Sequence, residues 1–363
     1  MRVLRLLALL LLSSPLHAQS WTLGPFEKPE VNPVLTPTRE TSFRSPMNDS
    51  LVRWEEYATF NPAAVVRQGR VHLLYRAEDA SGDEKIGGHT SRLGLAISTD
   101  GLRFTRRPVP VLYPDTDAQR ANEWPGGVED PRIVETDDGG YVLTYTQWNR
   151  DVPRLAVATS RDLVTWRKHG PAFAGIANDK YLRTESKSGA ILSRMAGDRV
   201  IATKVNGKYW MYFGVPTIRI ATSDDLIRWT PLEDADGNAI AVLAPRPGYF
   251  DSWLVEPGPP ALLTEHGILL LYNAGNSGRH GDSRLPDRMY SAGQALFDAR
   301  NPIRLLDRTA EPFIRPTEPY ERTGQYAQGT TFVEGLVRFN GSWFLYYGTA
   351  DSRVGVAVWN PAR

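Results

Sequence analysis

Asn61 in "FNPAAV", Asp130 in "GGVEDPRIVE" and Glu256 in "LVEPGPP" each stand directly before a proline. Glu129 precedes Asp130, and Glu334 in "VEGLVRF" offers a further acid in a comparable setting. Proline lacks only the amide hydrogen that would go unpaired at the first position of a strand, and its ring pushes the preceding residue towards extended backbone. Each polar side chain is therefore expected at the mouth of a strand, rigidly held. Paired acids do acid–base work when burial or a like-charged neighbour raises one pKa and leaves the other ionised. Such a pair would protonate a leaving oxygen and orient a polyol, with cations such as Arg76 in "YRAED" nearby. The alternative is that these acids pair with arginines to lock one structural unit to the next. Convergence of several of them on one axis favours the chemical role.

Such convergence needs a repeating scaffold, and the chain contains one. Five stretches read as a strand, a glycine-containing turn and an alternating strand that ends on an aromatic: "NPAAVVRQGRVHLLYRAED", "EDPRIVETDDGGYVLTYTQ", "KSGAILSRMAGDRVIATKVNGKYWMYFG", "GPPALLTEHGILLLYN" and "VEGLVRFNGSWFLYYGTAD". The terminal aromatics are Tyr75, Tyr145, Phe213, Tyr272 and Tyr347, separated by 70, 68, 59 and 75 residues. A second echo, "LAISTDGLRF", "LAVATSRDLVTW" and "IRIATSDDLIRW", follows three of the hairpins. Each unit supplies about four short strands, the content of one propeller blade. With 27 prolines and 31 glycines, no long helical stripe survives. The expected fold is all-β, one five-bladed β-propeller over residues 19–363. A β-sandwich also alternates strands and turns, but it does not require a repeat of this length.

Residues 1–18, "MRVLRLLALLLLSSPLHA", combine Arg2 and Arg5 with a leucine-rich run and a small residue at Ala18. That pattern predicts a signal peptide, because the apolar run is too short to span a bilayer, and places the mature protein in the periplasm or outside the cell. There is no cysteine, so neither disulfides nor a cysteine metal site can contribute. Lys and Arg number 42 against 41 acidic residues, which gives no footprint for nucleic acid or an anionic membrane surface. The six histidines are scattered, with His169 read as a turn residue, and "MNDS" at 47–50 is read as loop. No cofactor and no metal are expected, and the partner is a neutral molecule.

Taken in order along the chain, "FNPAAV", "LLYRAED", "SRLGLAISTDGLRF", "GGVEDPRIVE", "LAVATSRDLVTWRKHGP", "NGKYWMY", "EPGPPALLT" and "LYYGTADSRVGVA" resemble glycoside hydrolase family 130, the five-bladed propeller family of β-mannoside phosphorylases and related hydrolases. The resemblance implies inverting attack at the anomeric carbon of a β-linked mannosyl unit. It implies Asp130 as general acid acting by relay through a sugar hydroxyl, and Asn61, Arg76, Arg92 and Asp351 as residues holding the mannosyl ring, with Glu129 beside them. Family phosphorylases hold phosphate with three cations. Here Lys187 keeps one, but Phe213 and Gly214 replace the other two, and Glu256 stands where the phosphorylases carry a small uncharged residue. A new carboxylate repels phosphate and suits a water-activating base. The expectation is a hydrolase of β-linked mannosides with Asp130 as acid and Glu256 as base. A β-mannoside phosphorylase yielding mannose 1-phosphate is the alternative, and a non-catalytic glycan-binding propeller is a third reading. Glu185 and Glu334 are rival bases, Glu185 being expected in a salt bridge with Arg183 or Lys187. Trp124 and Trp148 are candidates to stack on sugar rings, and the polar loop 273–290 is a candidate lid or acceptor wall.

Overall fold

Alternating apolar residues build antiparallel meanders along the whole of the described chain, which in this computed structural model comprises residues 20–362. The expected leader at 1–18 lies outside the described residues. The first meander runs through Ala58–Arg67, Arg70–Glu78, Ser91–Ser98 and the short Thr105–Arg106. The second runs through Gly127–Glu135, Tyr141–Trp148, Pro153–Ser160 and Trp166–Pro171. The third comprises Ala190–Ile191, Lys208–Phe213, Ile218–Ser223 and Thr230–Pro231, with the hairpin Ser193–Ala196/Arg199–Ala202 interposed. In the fourth, Leu254–Pro257 and Leu262–Thr264 both pair with Gly267–Gly275, and Tyr290–Phe297 and Leu305–Arg308 follow. The fifth holds Thr331–Phe339, Ser342–Thr349 and Arg353–Trp359. Glu27 and Leu35 bridge to Val358 and Val354, so the start of the described chain covers the edge of its last strand.

Both faces of the inner strands are buried, and this divides the core into five clusters. In the second strand of the first meander, Leu73 and Tyr75 join Val337 and Tyr346 of the fifth, whereas Leu74 joins Ile133 and Leu143 of the second. Further clusters join the second meander to the third, the third to the fourth and the fourth to the fifth. Each fully buried Leu, Ile or Phe contributes about 1.5–3 kcal/mol, so stability resides at the joints between units.

Two further devices recur. A tyrosine in the second strand donates its hydroxyl to a buried carboxylate in four units: Tyr75 to Glu55 at 2.7 Å, Tyr145 to Glu123 at 3.0 Å, Tyr272 to Asp251 at 2.9 Å and Tyr347 to Glu321 at 2.9 Å. A cation completes each, namely Arg106, Lys168, Arg308 and Lys28. In the third unit Phe213 occupies this place and has no hydroxyl to give. The repeated turns are the second device: Asp100, Asp162 and Asp225 each accept two backbone N–H groups two and three residues ahead. His169, expected in a turn, instead lies in Trp166–Pro171 at a register shift between Lys168 and Gly170, within 2.8 Å of the Thr159 hydroxyl. Residues 47–50 do form a turn, where Asn48 accepts from the Ser50 hydroxyl.

Candidate active site

One cavity of about 330 Å³ draws on all five meanders: Asn61 and Arg76 from the first, Asp130 from the second, Lys187 from the segment entering the third, Glu256 from the fourth and Asp351 from the fifth. The backbone that presents two of them differs from the sequence expectation. Asn61 and Asp130 are not extended; they have φ of 45° and 48° and sit at register shifts between Phe60 and Pro62 and between Glu129 and Arg132. Asn and Asp tolerate this left-handed region better than other residues, and a bulge re-aims the side chain it carries. Close backbone approach completes the arrangement. A Cβ on Gly348 would come within 1.9 Å of Asn61 Oδ1, and one on Gly127, whose φ is 114°, within 2.2 Å of the Ser91 carbonyl.

The two proposed reacting carboxylates are held alike. Asp130 Oδ1 accepts from Asn61 Nδ2 at 2.9 Å and from Arg76 Nη1 at 3.1 Å. Glu256 Oε1 accepts from the Ser188 hydroxyl and lies 3.1 Å from Lys187 Nζ. Each group is thus anchored through one oxygen, and the other carries no contact of this kind among the described residues. Arg76 also meets Glu78 at 2.6 Å and Glu129 at 2.8 Å.

Charge and burial divide the acids into two kinds. Burial works to raise the pKa of Asp130, but Arg76, Lys187 and the Asn61 hydrogen bond outweigh it and hold the carboxyl below its ordinary range. Burial wins at Glu129, which is pushed up to about 7 despite Arg76. The same balance pushes Asp351 up to about 7. At neutral pH Asp130 is therefore an anion, while Glu129 and Asp351 sit near the midpoint of their titrations and share protons with the solvent. Lys187 stays charged, because Glu256 and Asp130 overcome the opposing effect of its burial.

Asn61, Arg76, Glu129, Asp130, Lys187, Glu256 and Asp351 all line this cavity, but Arg92 does not. Arg92 follows Ser91 on one strand, so strand alternation sends the two to opposite faces. Ser91 receives a hydrogen bond from Arg76, whereas Arg92 pairs with Asp79 at 2.6 Å and stacks over Phe43. Glu334 is fully buried outside the cavity lining, 3.0 Å from Arg132, and burial pushes its pKa well up, which removes it as a base for water. Glu185 is exposed at the cavity, and Lys187 pairs with Glu256 in place of the expected Glu185 bridge. Trp148 lines the cavity, braced by its indole N–H on the Gly87 carbonyl, while Trp124 does not line it. Of the loop 273–290 only Tyr290 reaches the cavity; the rest is braced internally by Asn276, whose amide donates to the carbonyls of Asp282, Leu285 and Pro286.

The sequence reading missed Glu78, Gln325, Tyr326 and Phe332. Glu78 was accessible to it, since it lies two residues beyond Arg76 on one strand and shares its face. The other three follow irregular segments with no period to read. Among the described residues no group of three or more His, Asp or Glu is arranged to hold a metal ion, and no helix is long and apolar enough to cross a membrane.

An all-β chain whose repeated units converge on a carboxylate-lined cavity fits the class of carbohydrate-active enzymes, and comparison with known proteins identifies the family. Residues 25–362 match the family model described as β-1,4-mannooligosaccharide phosphorylase, and the chain belongs to glycoside hydrolase family 130. A 1,2-β-oligomannan phosphorylase of Thermoanaerobacter sp. strain X514 is 32% identical over 330 residues, covering 90% of this chain and 94% of the relative. A solved structure described by the statement that the family of mannoside phosphorylases contains glycoside hydrolases targeting β-1,2 mannosidic linkages in Candida mannan superposes with TM-score 0.93 at 51% identity, covering 95% of this chain and 96% of that one. A glycosyl hydrolase from Bacteroides ovatus superposes with TM-score 0.93 at 54% identity over the same shares.

Proposed function

We propose that the protein is an exported, single five-bladed β-propeller, residues 19–363 behind a leader at 1–18, that hydrolyses β-linked mannosides with inversion. Five core clusters, each joining one meander to the next and the fifth to the first, support the propeller. The observation that carries hydrolysis is the charge of the cavity. Six carboxylates line it (Glu78, Glu129, Asp130, Glu185, Glu256 and Asp351) against two cations, Arg76 and Lys187. Both cations are already paired, Arg76 with three of these acids and Lys187 with Glu256. Even with Glu129 and Asp351 protonated, four anions face two cations. Phosphate would be repelled, whereas water enters freely.

In this reading the free Oε2 of Glu256 takes a proton from water as the water oxygen bonds to the anomeric carbon. The bond from that carbon to the leaving oxygen breaks with its electron pair, and the leaving oxygen needs a proton. Asp130 is ionised in the empty site, so the proton comes from the Glu129–Asp351 reserve and passes through a sugar hydroxyl held by Asp130. Asn61, Arg76 and Asp351 hold the mannosyl ring.

Phosphorolysis is the second reading. It is favoured by the phosphorylase activity in the name of the curated relative and in the family model's description. Incubation with β-1,2-, β-1,3- and β-1,4-mannobiose, with and without phosphate, separates the two by product. Free mannose appearing first as the α-anomer, at a rate indifferent to phosphate, is expected from hydrolysis; phosphate-dependent mannose 1-phosphate would refute it. Tight mannoside binding with no turnover would instead support a glycan-binding propeller.

A further inference from the structure

We propose that Arg132 is a positioning residue that sets the separation between Asp130 and Glu256; the role presupposes the acid–base reading above. Its buried guanidinium spans from one carboxylate-bearing strand to the other. Nη1 donates to the carbonyl of Asp130 itself at 3.2 Å, Nη2 to Pro257 at 2.7 Å and Nε to Gly258 at 2.8 Å. Pro257 and Gly258 directly follow Glu256. The two strands, Gly127–Glu135 and Leu254–Pro257, pair with other partners and not with each other. The guanidinium is thus a direct polar tie between the backbone carrying Asp130, which holds the relaying hydroxyl, and the backbone carrying the proposed base.

Arginine suits this work because its donors form a rigid planar fork, while a lysine ammonium at the same place is a single point on a flexible stem. Glu334 of the fifth meander lies 3.0 Å from Nη1 as an ion-pair contact on a third side, its two oxygens making no hydrogen bond among the described residues. Inversion requires the two carboxyls to stand apart by roughly 6.5–9.5 Å, with room for water. A misplacement of about 1 Å at such a site costs on the order of 100-fold in rate. Arg132 reaches no cavity surface, so it acts through the two carboxylates and not on the sugar.

Two variants test this. Arg132→Lys keeps a charge but loses the fork. The double variant Arg132→Met with Glu334→Gln removes the tie without leaving a buried charge unpaired, so that it folds. Both are expected to lower kcat about 100-fold on the preferred mannoside while KM stays within about threefold. Crystal structures of both should show the Asp130–Glu256 separation altered. Arg106→Ala is the comparison: it breaks a core ion pair with Glu55, away from the cavity, and should lower the melting temperature without changing kcat. A kcat within threefold of wild type in both Arg132 variants, or an unchanged separation in their crystal structures, overturns the proposal. Should the wild-type protein turn over no mannoside, the hydrolase reading fails, and the crystallographic separation alone still decides the role of Arg132.

Discussion

Replacing Asp351 by asparagine separates what the site costs the fold from what it does for the sugar. Asp351 lies in the turn between Ser342–Thr349 and Arg353–Trp359 with φ of 50°, a conformation that asparagine also tolerates. Burial pushes its carboxyl from 3.8 to about 7, against the pull of Arg76. The unfolded chain releases this proton near 3.8 and the folded chain near 7. Between these values the folded state binds more protons, so stability falls as pH rises and levels off above the upper value. At about 1.4 kcal/mol per pH unit the full cost is about 4 kcal/mol. Asp351 is only partly buried and lines the cavity, so solvent screening leaves about 2 kcal/mol. Asparagine carries no charge and escapes this cost. Thermal unfolding of both proteins from pH 3.5 to 8.5 should show the variant gaining on wild type from about pH 4 upward, to about 2 kcal/mol at pH 8. Its kcat/KM should fall at least about tenfold, since the proton store and the ring contact go together. A stability difference that is flat with pH, or that grows as pH falls, would refute the placement of a neutral carboxyl here.

Glu256→Ala should lower kcat by about 10²–10⁴, the usual worth of a general base, and azide should restore turnover as α-mannosyl azide; Glu185→Gln should stay within about threefold, and the reverse pattern would make Glu185 the base. Gly348→Ala drives a methyl against the Asn61 amide, and calorimetry should record weakened mannoside binding together with about 1–3 kcal/mol of lost stability; unchanged binding would show that Asn61 does not hold the ring. Tyr75→Phe removes a hydrogen bond to the buried, ion-paired Glu55 and should cost about 1.5–3 kcal/mol in denaturation with kcat untouched; a loss of kcat would mean that the scaffold acids are not independent of the site.

What could be read from sequence was what repeats. The aromatics at Tyr75, Tyr145, Phe213, Tyr272 and Tyr347 all lie in the second strand of their unit because each closes a period-two run, but only Phe213 ends its strand; the four tyrosines are followed by two or three more strand residues. Asn61, Asp130 and Glu256, each before a proline, do line one cavity, but not from the strand mouths expected: Asn61 and Asp130 are the fourth residues of their strands, at bulges, and Pro257 ends its strand. The backbone of the cavity was not legible. Proline argues for extension before it, and the left-handed φ at Asn61 and Asp130 is imposed by a bulge that only the partner strand defines. Arg92 failed for a related reason: a strand puts neighbours on opposite faces, and the resemblance that suggested the residue carried no register. The acid partners of the tyrosines were invisible because Glu55 and Asp251 lie in turns and Glu123 and Glu321 end single helical turns too short to show a period.

The same side chain serves two ends in this protein, and what distinguishes them is how many of its oxygens are spoken for. Glu55 spends both: Oε1 accepts from the Thr41 hydroxyl, and Oε2 from Tyr75 and Arg106. Glu321 does likewise, Oε1 with Tyr347 and Oε2 with Lys28 and two backbone amides. A carboxylate satisfied on every side cannot approach a substrate, and its burial is offset by the contacts it makes. Asp130 and Glu256 are as deeply buried, yet their protein contacts gather on one oxygen. The oxygen left over on each is the one a hydroxyl or a water can meet. The arginine-locking role that sequence alone left open is shared: Arg76 of the first meander ties Glu129 and Asp130 of the second across the joint, so acids that face the cavity also lock unit to unit.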